Sequence, residues 1–139
     1  GYAKLMMEDM ASALTDYHIC LQINPAHPQG LKNKALISSK MGKHDEAITD
    51  FSNLIKTDPK NAELFVLRGT SYLTSKEYEK ALEDFTQAIH LKSDFAEAYF
   101  NRANTYTKLL DQKKACTDIK QCIKLGYSPA QAHVSNLCN

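Results

Sequence analysis

Apolar residues recur along the chain at the spacing of helices that bury one face. The clearest stripe, at i, i+3, i+4, i+7, i+10 and i+11, consists of Tyr78, Ala81, Leu82, Phe85, Ala88 and Ile89. Because this period places the side chains on one side of an α-helix, the stripe predicts a helix with one buried face. An apolar group just upstream, made of Leu64, Phe65, Gly69 and Tyr72, predicts an earlier helix. The short stretch from Ser75 to Glu77 between the two predicts an antiparallel helix pair.

The same pattern returns with a period of 34 residues, without insertion or deletion. The second helix of each period carries the pattern A-x-[TE]-D-[YFI]. Its recurring members are Ala13, Ala47, Ala81 and Ala115, followed by Asp16, Asp50, Asp84 and Asp118. Small residues recur in the first helix at Ala35, Gly69 and Ala103, where closely packed helices have no room for extra volume. Self-similarity at a fixed period predicts a chain built from copies of one helical hairpin.

These residues resemble the tetratricopeptide repeat, a 34-residue helix-turn-helix with an aromatic, Leu-Gly, Tyr, Ala, Phe and Pro at fixed offsets. The unit that matches best, residues 62–95, has Phe65, Gly69, Tyr72, Ala81, Phe85 and Ala88 at these offsets. Arg68 and Arg102 stand where the motif has Leu. The resemblance implies an all-α fold, a right-handed α-solenoid of stacked antiparallel helix pairs.

By the same register, residues 1–139 form a single array. It consists of a partial repeat at 1–27, three full repeats at 28–61, 62–95 and 96–129, and a terminal or capping helix at 130–139. Terminal repeats normally carry a polar outer face, but Met6 and Leu137 place apolar side chains near the two ends. We therefore expect a fragment of a longer protein.

Charge and motifs argue against several classes of function. Lys and Arg number 17 against 16 Asp and Glu, a net charge of +1, so no strong field would gather nucleic acid or an anionic membrane surface. No apolar run approaches the roughly 18 residues that a membrane-spanning helix needs. No metalloprotease, hydrolase or nucleotide-binding motif occurs. We expect a non-catalytic protein with no cofactor and no metal.

We expect structural rather than catalytic roles for the recurring acidic residues and for the cysteines. Aspartates 34 residues apart in stacked repeats form a ladder rather than one site, and we expect them on the solvent side of the second helices. The cysteines, Cys20, Cys116, Cys122 and Cys138, contain no C-x-x-C pair, although their even number alone would permit three disulfide pairings. We expect them reduced and mostly buried, which would suit a reducing compartment such as the cytoplasm.

The resemblance also implies where a partner would bind, in a concave groove lined by the first helices of successive repeats. By the family's groove positions, the candidate partner-binding residues are Lys32, Asn33, Leu36, Val66, Thr70, Leu73, Phe100, Asn101, Asn104 and Lys108. They combine apolar anchors with amides suited to a peptide backbone. For any one of them, a place in the inter-helix core or on an inert surface is the alternative. The expected function is a scaffold for protein–protein interaction.

Some members of this family hold a chaperone's C-terminal carboxylate in a clamp of Lys, Asn and Arg side chains, through charge-assisted hydrogen bonds. The corresponding positions here are Lys32, Leu36, Leu67, Glu97 and Asn101, and one repeat later Val66, Thr70, Asn101, Gln131 and Ser135. Glu97 would repel a carboxylate. Heat-shock chaperone tails are therefore not expected as partners.

Two other functions are alternatives to the scaffold function. Self-association is the main alternative, with the terminal helices stacking end to end on another copy and the contact able to propagate. Single-stranded RNA binding occurs in a related helical-repeat family. It is disfavoured here because the groove holds Lys32, Lys40 and Lys108 against Glu63 and Glu97.

Overall fold

The structure is a computed structural model that describes residues 2–24 and 27–138. The described residues form helices joined by short connections, with no strand among them. The α-helices in chain order are α1 (Tyr2–Ile23), α2 (Pro28–Lys40), α3 (His44–Thr57), α4 (Ala62–Thr74), α5 (Tyr78–Leu91), α6 (Ala96–Lys108), α7 (Gln112–Lys124) and α8 (Val134–Leu137). A 3-10 helix, Ser128–His133, directly precedes α8. The all-α repeat of helix pairs that the sequence predicts is thereby confirmed.

The connections between paired helices repeat one hydrogen-bonding pattern. The amide N–H of Lys43 donates to the carbonyl of Ser38 at 2.8 Å, and Glu77 and Asp111 donate in the same way to Tyr72 and Tyr106, both at 2.9 Å. In each case the residue directly before the donating N–H has a left-handed backbone, which is a common way to end a helix. The left-handed residues at the connections are Gly42 (φ 82°), Lys76 (φ 64°) and Leu110 (φ 62°). Each hairpin therefore turns at the same point of the 34-residue period.

The chain divides into two compact units, residues 1–59 and 60–139. In the first unit, α1 and α3 both pack on α2. Its buried apolar residues are Leu14, Ala35, Ala47, Phe51 and Leu54.

The second unit holds α4 to α8 and the 3-10 helix, with α4 on α5, α5 on α6 and α6 on α7. Its core contains Phe85 and Ile119, each 0% exposed. Around them lie the small residues Ala81, Ala88, Ala98, Ala103, Ala115, Cys122 and Ala130.

The recurring small residues mark the place where paired helices come closest, as the sequence predicts. Ala35 and Ala103 are each 0% exposed. At Gly69 an added Cβ would lie 2.8 Å from Cε1 of Phe85 and 3.1 Å from Cβ of Asp84. Because neither a ring held in the core nor a helix neighbour yields easily, α4 and α5 can be this close only with glycine at this position.

Three of the four recurring aspartates are buried, so the expectation of a solvent-facing ladder is wrong for them, whereas Asp16 is exposed as expected. Asp50, Asp84 and Asp118 are 7%, 4% and 4% exposed. Each accepts hydrogen bonds from the basic residue sixteen positions earlier, on the partner helix of its own pair. The pairs are Lys34 with Asp50 (2.7 Å), Arg68 with Asp84 (2.7 and 2.8 Å) and Arg102 with Asp118 (2.7 and 2.8 Å). The arginines that depart from the family motif therefore supply the cations that a buried carboxylate requires.

Burial and pairing act in opposite directions on the Arg68–Asp84 pair. Burial raises the pKa of the Asp84 carboxyl more than the hydrogen bonds and charge of Arg68 lower it. The same hydrogen bonds raise the pKa of the Arg68 guanidinium. Because desolvation offsets much of the attraction, the intact pair adds little net stability, although removal of one partner alone is costly.

The cysteines also differ from expectation. Cys116 on α7 and Cys138, just after α8, form a disulfide. Cys20 is free and exposed, and only Cys122 is a buried free thiol. The expectation of four reduced, mostly buried thiols missed the pairing because residues 22 apart become neighbours only when the C-terminal segment folds back on α7.

Both ends of the chain differ from a regular repeat. α1 is one continuous helix through Met7, Glu8 and Asp9, where the other periods turn. Glu8 does not take the left-handed backbone that Gly42, Lys76 and Leu110 adopt at the equivalent position, so the helix continues. At the other end, where a helix over 130–139 is expected, Pro129 falls in the first turn of a 3-10 helix and α8 is a single turn.

Candidate functional site

Two surface hollows in the second unit contain predicted partner-binding residues. The first, the Val66 hollow, has a volume of about 620 Å³ and is lined by Lys60, Asn61, Ala62, Glu63, Val66, Leu67, Leu91, Lys92, Phe95 and Glu97. The second, the C-terminal cleft, has a volume of about 690 Å³ and is lined by Leu73, Thr74, Lys76, Tyr78, Asn104, Thr107, Lys108, His133, Asn136 and Leu137. Both volumes are within the range of ligand sites.

The C-terminal cleft is assembled at the turn ends of the helices. Leu73 and Thr74 close α4, while Asn104, Thr107 and Lys108 lie in the last two turns of α6. Lys76 belongs to the left-handed turn between α4 and α5, and Tyr78 begins α5. The C-terminal segment adds His133, Asn136 and Leu137. The regular hairpin geometry therefore supplies one wall and the irregular end of the chain the other.

The two hollows differ in charge. The residues that line the C-terminal cleft include Lys76, Lys108 and His133 and no acidic side chain. In the Val66 hollow, Lys60 and Lys92 are balanced by Glu63 and Glu97. The charged side chains that line the C-terminal cleft, Lys76 and Lys108, are therefore both basic, and they lie beside the apolar side chains of Leu73 and Leu137.

Some polar groups of the cleft are already satisfied, and others are available to a ligand. The hydroxyls of Thr74 and Thr107 donate to carbonyls of their own helices at 2.9 and 3.0 Å. The Asn104 amide makes no hydrogen bond to another described residue. An amide carries both donors and an acceptor, which suits a peptide backbone.

Side chains beneath the cleft hold its C-terminal wall. The ring of Phe100 packs against those of Tyr127 and His133, with centroids 5.3 Å apart in each case. The Gln112 side chain donates to the Asn136 carbonyl at 3.0 Å. The Cys116–Cys138 disulfide ties the segment to α7 beyond α8. The cleft is thus formed in advance of any ligand.

The predicted partner-binding residues do not all gather in one place. Leu73, Asn104 and Lys108 line the C-terminal cleft. Val66 lines the other hollow but is 2% exposed, so it belongs to the core and presents little surface. Thr70 is exposed, and its hydroxyl donates to the Val66 carbonyl at 2.8 Å.

The other predicted residues lie outside both hollows. Phe100 supports the cleft from below, and Asn101 is half-buried on α6. Lys32, Asn33 and Leu36 are half-buried on α2 in the first unit, where the Asn33 side chain accepts a hydrogen bond from Gln29 at 3.0 Å.

Sequence reasoning missed half of the cleft lining: Lys76, Tyr78, His133, Asn136 and Leu137. The family's groove positions lie on first helices, so residues of the turns were not considered, and in the end segment these positions are Gln131, Val134 and Ser135 rather than the three that line the cleft. A signal existed for Lys76, which occupies the turn position that Gly42 occupies one period earlier. None existed for the three C-terminal residues, because their position depends on how the segment packs on α7.

Within residues 2–24 and 27–138, no three His, Cys, Asp or Glu side chains come together as metal ligands would. No helix in these two ranges combines the length and apolar character needed to cross a bilayer.

Models of the tetratricopeptide repeat match the chain at residues 32–61 and 96–125, and a TPR repeat model matches residues 69–109. Among curated proteins, the chain is 29% identical over 75 residues to small glutamine-rich tetratricopeptide repeat-containing protein 2 of Mycosarcoma maydis. The match covers 54% of this chain and 21% of that protein. The chain thus spans about a fifth of the length of this relative.

Solved structures share the fold. The second TPR of Spaghetti (RPAP3), bound to the HSP90 peptide SRMEEVD, is 31% identical with a TM-score of 0.68, over 75% of this chain and 96% of that one. MamA from Desulfovibrio magneticus RS-1 is 20% identical with a TM-score of 0.82, over 92% of this chain and 72% of that one. The similarity to MamA concerns the fold alone.

Proposed function

Because the chain belongs to the tetratricopeptide repeat family, we propose that it is a non-catalytic scaffold that binds a partner protein's segment in the C-terminal cleft. Repeats of this family and fold typically serve as scaffolds for protein interaction, and some of the similar structures hold a peptide. The observation that carries the proposal is a preformed cleft whose charged side chains, Lys76 and Lys108, are both basic, with an available amide at Asn104. Groove positions outside the cleft, Lys32, Asn33, Leu36 and Asn101 among them, remain candidate contacts.

The chemistry of the cleft specifies the kind of segment it would hold. Lys76 and Lys108 favour carboxylates on the ligand, and Leu73 and Leu137 favour one apolar side chain between them. Asn104 would hold the segment's backbone. The ligand is therefore a short acidic segment with an apolar anchor.

A chaperone tail remains an unfavoured ligand although similar structures bind one. The clamp positions of this chain hold Leu36, Leu67 and Glu97 rather than amides and cations. Glu97 is exposed and lines the Val66 hollow, where it would repel a terminal carboxylate. The basic cleft is formed by different residues, so binding there should not depend on a free C-terminus.

Selection from a library of displayed peptides, followed by fluorescence anisotropy, tests the proposal. We expect peptides with acidic residues around one apolar residue, and at least about tenfold weaker binding to Lys108→Glu, since an ion pair becomes a repulsion. Lys124→Glu is the matched control, because Lys124 is exposed on α7 outside the cleft and should bind normally. Equal loss in both variants, or selected peptides without acidic residues, would contradict the proposal.

The choice of variants follows from the packing. Phe100→Ala is a poor test of direct contact, because removing this ring would release His133 and the C-terminal wall. Asn104→Ala is better suited, because the lost amide has no other described partner. The peptide SRMEEVD serves as a further probe, and we expect its binding to be unchanged when its C-terminus is amidated, because the clamp for a terminal carboxylate is absent.

Self-association through the terminal helices is the second candidate function. α1 exposes large apolar side chains, with Leu5 at 56%, Ile19 at 51% and Ile23 at 82%. Sedimentation over a range of concentrations tests this candidate. A single monomeric species up to high concentration would remove it and leave the proposal of segment binding intact.

A further inference from the structure

The Cys116–Cys138 disulfide lies in a surface hollow beside the C-terminal cleft. This disulfide hollow has a volume of about 490 Å³ and is lined by Gln112, Lys113, Cys116, Thr117, Lys120, Leu137 and Cys138. Both bridged cysteines are half-buried, whereas the free Cys122 is fully buried in the core. A small molecule that enters the hollow can therefore reach the bridge.

The charged side chains of the disulfide hollow are both basic. Lys113 and Lys120 are exposed, and no acidic side chain is among the residues that line the hollow. They lie three positions before and four positions after Cys116 on α7, so both share the face of the helix that carries the bridge. The two lysines therefore favour an anionic molecule in the hollow and a negative charge on the Cys116 sulfur.

The same bridge holds one wall of the C-terminal cleft. Leu137, directly before Cys138, lines both the disulfide hollow and the cleft. The carbonyl of Asn136, an exposed residue of the cleft, accepts the hydrogen bond from Gln112 at 3.0 Å. Helix α8 is a single turn, and so short a helix is not stable without contacts to the rest of the chain. The disulfide is the covalent tie between this part of the wall and α7.

We propose that Cys116–Cys138 is a site of thiol–disulfide exchange with an anionic thiol, and that its reduction opens the C-terminal cleft. The incoming thiolate attacks the Cys138 sulfur and forms a mixed disulfide, while the Cys116 sulfur leaves as a thiolate. Lys113 and Lys120 stabilise this leaving thiolate. A second thiol then attacks the mixed disulfide, so two thiols are oxidised to one disulfide, and the two cysteines gain their two electrons and two protons. The effect on segment binding rests on the function proposed above, but the exchange reaction does not.

Glutathione, a tripeptide thiol with two carboxylates, is the probe for the exchange reaction, and 2-mercaptoethanol is the neutral comparison. Quenching with N-ethylmaleimide and mass spectrometry follow the reduction of the folded chain, in which Cys20 is labelled from the start. We expect Lys113→Glu and Lys120→Glu each to slow reduction by glutathione about fivefold and reduction by 2-mercaptoethanol less, because only glutathione is repelled as it enters. Lys124→Glu is the matched control, since Lys124 is exposed on α7 but does not line the hollow.

Hydrogen exchange of the oxidised and reduced chains, without any ligand, tests the opening of the cleft. We expect exchange at residues 134–138 to become faster after reduction. Exchange at residues 128–133 should change less, because the Phe100 ring still packs against His133 and Ala130 remains buried. Circular dichroism of the reduced chain should match that of the oxidised chain, which establishes that the repeats stay folded.

Fluorescence anisotropy measures the effect on binding, with a labelled peptide that has one Leu between two pairs of Glu and both ends blocked. We expect at least about tenfold weaker binding to the reduced chain, because the wall around Leu137 is no longer formed in advance. Cys116→Ser/Cys138→Ser should bind this weakly with or without thiol. Cys20→Ser is the control that keeps the response, because Cys20 is not part of the bridge.

The measurements without ligand separate this proposal from the proposed function. If the oxidised chain does not bind the peptide, segment binding is contradicted, and the rates of reduction and of hydrogen exchange still decide whether the bridge controls the cleft. The proposal is overturned if the bridge of the folded chain survives millimolar glutathione, or if the reversals at Lys113 and Lys120 act no differently from Lys124→Glu. Equal exchange at residues 134–138, or equal peptide binding, in the oxidised and reduced chains would overturn it as well.

Discussion

At the scale of single residues, the same register position takes different side chains with different chemical consequences. Ala88 and Cys122 occupy equivalent positions one period apart, and both are 0% exposed. Burial, with a smaller contribution from the charge of Asp118, raises the pKa of the Cys122 thiol to about 11. This thiol is therefore protonated and shielded near neutral pH, and it acts as a small apolar core residue rather than a nucleophile.

The raised pKa of Cys122 predicts a loss of stability in alkaline solution. A thiol with a higher pKa in the folded state favours folding fully below its unfolded value near 9, and this contribution disappears as the pH rises toward 11. We expect about 2 kcal/mol less free energy of unfolding from this residue at pH 11 than at pH 8. Urea unfolding of the parent chain and of Cys122→Ala over this range measures the difference.

Cys122→Ala is the appropriate comparison because Ala88 shows that alanine fits this position. Lysines and tyrosines titrate in both proteins, so only the difference between the two curves reports on the thiol. If the free energies of unfolding of the two proteins changed in parallel with pH, the raised pKa of Cys122 would be contradicted. Alkylation gives a second check: Cys20 should react at once, and Cys122 only after unfolding.

At the scale of elements, buried ion pairs align the two helices of each hairpin. Arg68 and Asp84 are 20% and 6% exposed in their side chains and share two hydrogen bonds. Arg68→Leu restores the residue typical of the family motif but leaves Asp84 without its cation. We expect a loss of about 3 kcal/mol in the free energy of unfolding, because an unpaired buried charge is costly.

The double variant Arg68→Leu/Asp84→Ala should lose less than the sum of the two single variants, because it leaves no uncompensated charge. A double-mutant cycle by chemical denaturation measures this coupling. Lys80 and Glu77 form the control pair: their side chains are 60% and 40% exposed, and their coupling should be too small to measure. An equal coupling energy for Arg68–Asp84 and Lys80–Glu77 would mean that burial does not strengthen the Arg68–Asp84 ion pair.

The second element-scale prediction concerns the C-terminal segment. The Cys116–Cys138 disulfide closes a loop across 22 residues of sequence, which in a chain-entropy model stabilises the folded state by about 3 kcal/mol. Reduction or Cys138→Ser should therefore loosen residues 128–138 and speed hydrogen exchange there, with little change in α4 and α5. Mass spectrometry without reductant first establishes the bridge, and unchanged exchange after reduction would show that packing alone holds the segment.

At the scale of the whole molecule, the sequence predicted what recurs and missed what depends on one particular contact. The 34-residue period placed Ala81, Gly69 and Phe85 correctly, because helical periodicity and close packing act locally and repeatedly. The burial of Asp84 was missed, although Arg68 sixteen residues earlier repeats with the same period and offered a signal. The wall formed by His133 and Leu137 could not be predicted, because it depends on how one irregular segment folds back.

We expect the two compact units to fold differently when each is produced alone. Residues 60–139 enclose Phe85, Ile119 and the surrounding alanines, and the close-packed pairs α4–α5 and α6–α7 lie wholly within this range. Each hairpin is covered by a neighbour, as independent stability of a repeat protein requires. We expect a fragment of these residues to be helical, monomeric and cooperative in thermal unfolding, with a free energy of unfolding of about 4–8 kcal/mol.

Residues 1–59 should behave differently when produced alone. Their core is limited to Leu14, Phe51, Leu54 and two alanines. So few buried side chains cannot offset the conformational entropy of folding, and we expect partial helicity without a cooperative transition. Circular dichroism and calorimetry of both fragments test this asymmetry.

In the fragment of residues 60–139, Phe85→Ala should lower the free energy of unfolding by about 3–5 kcal/mol and abolish the cooperative transition, because this ring fills the space beside Gly69.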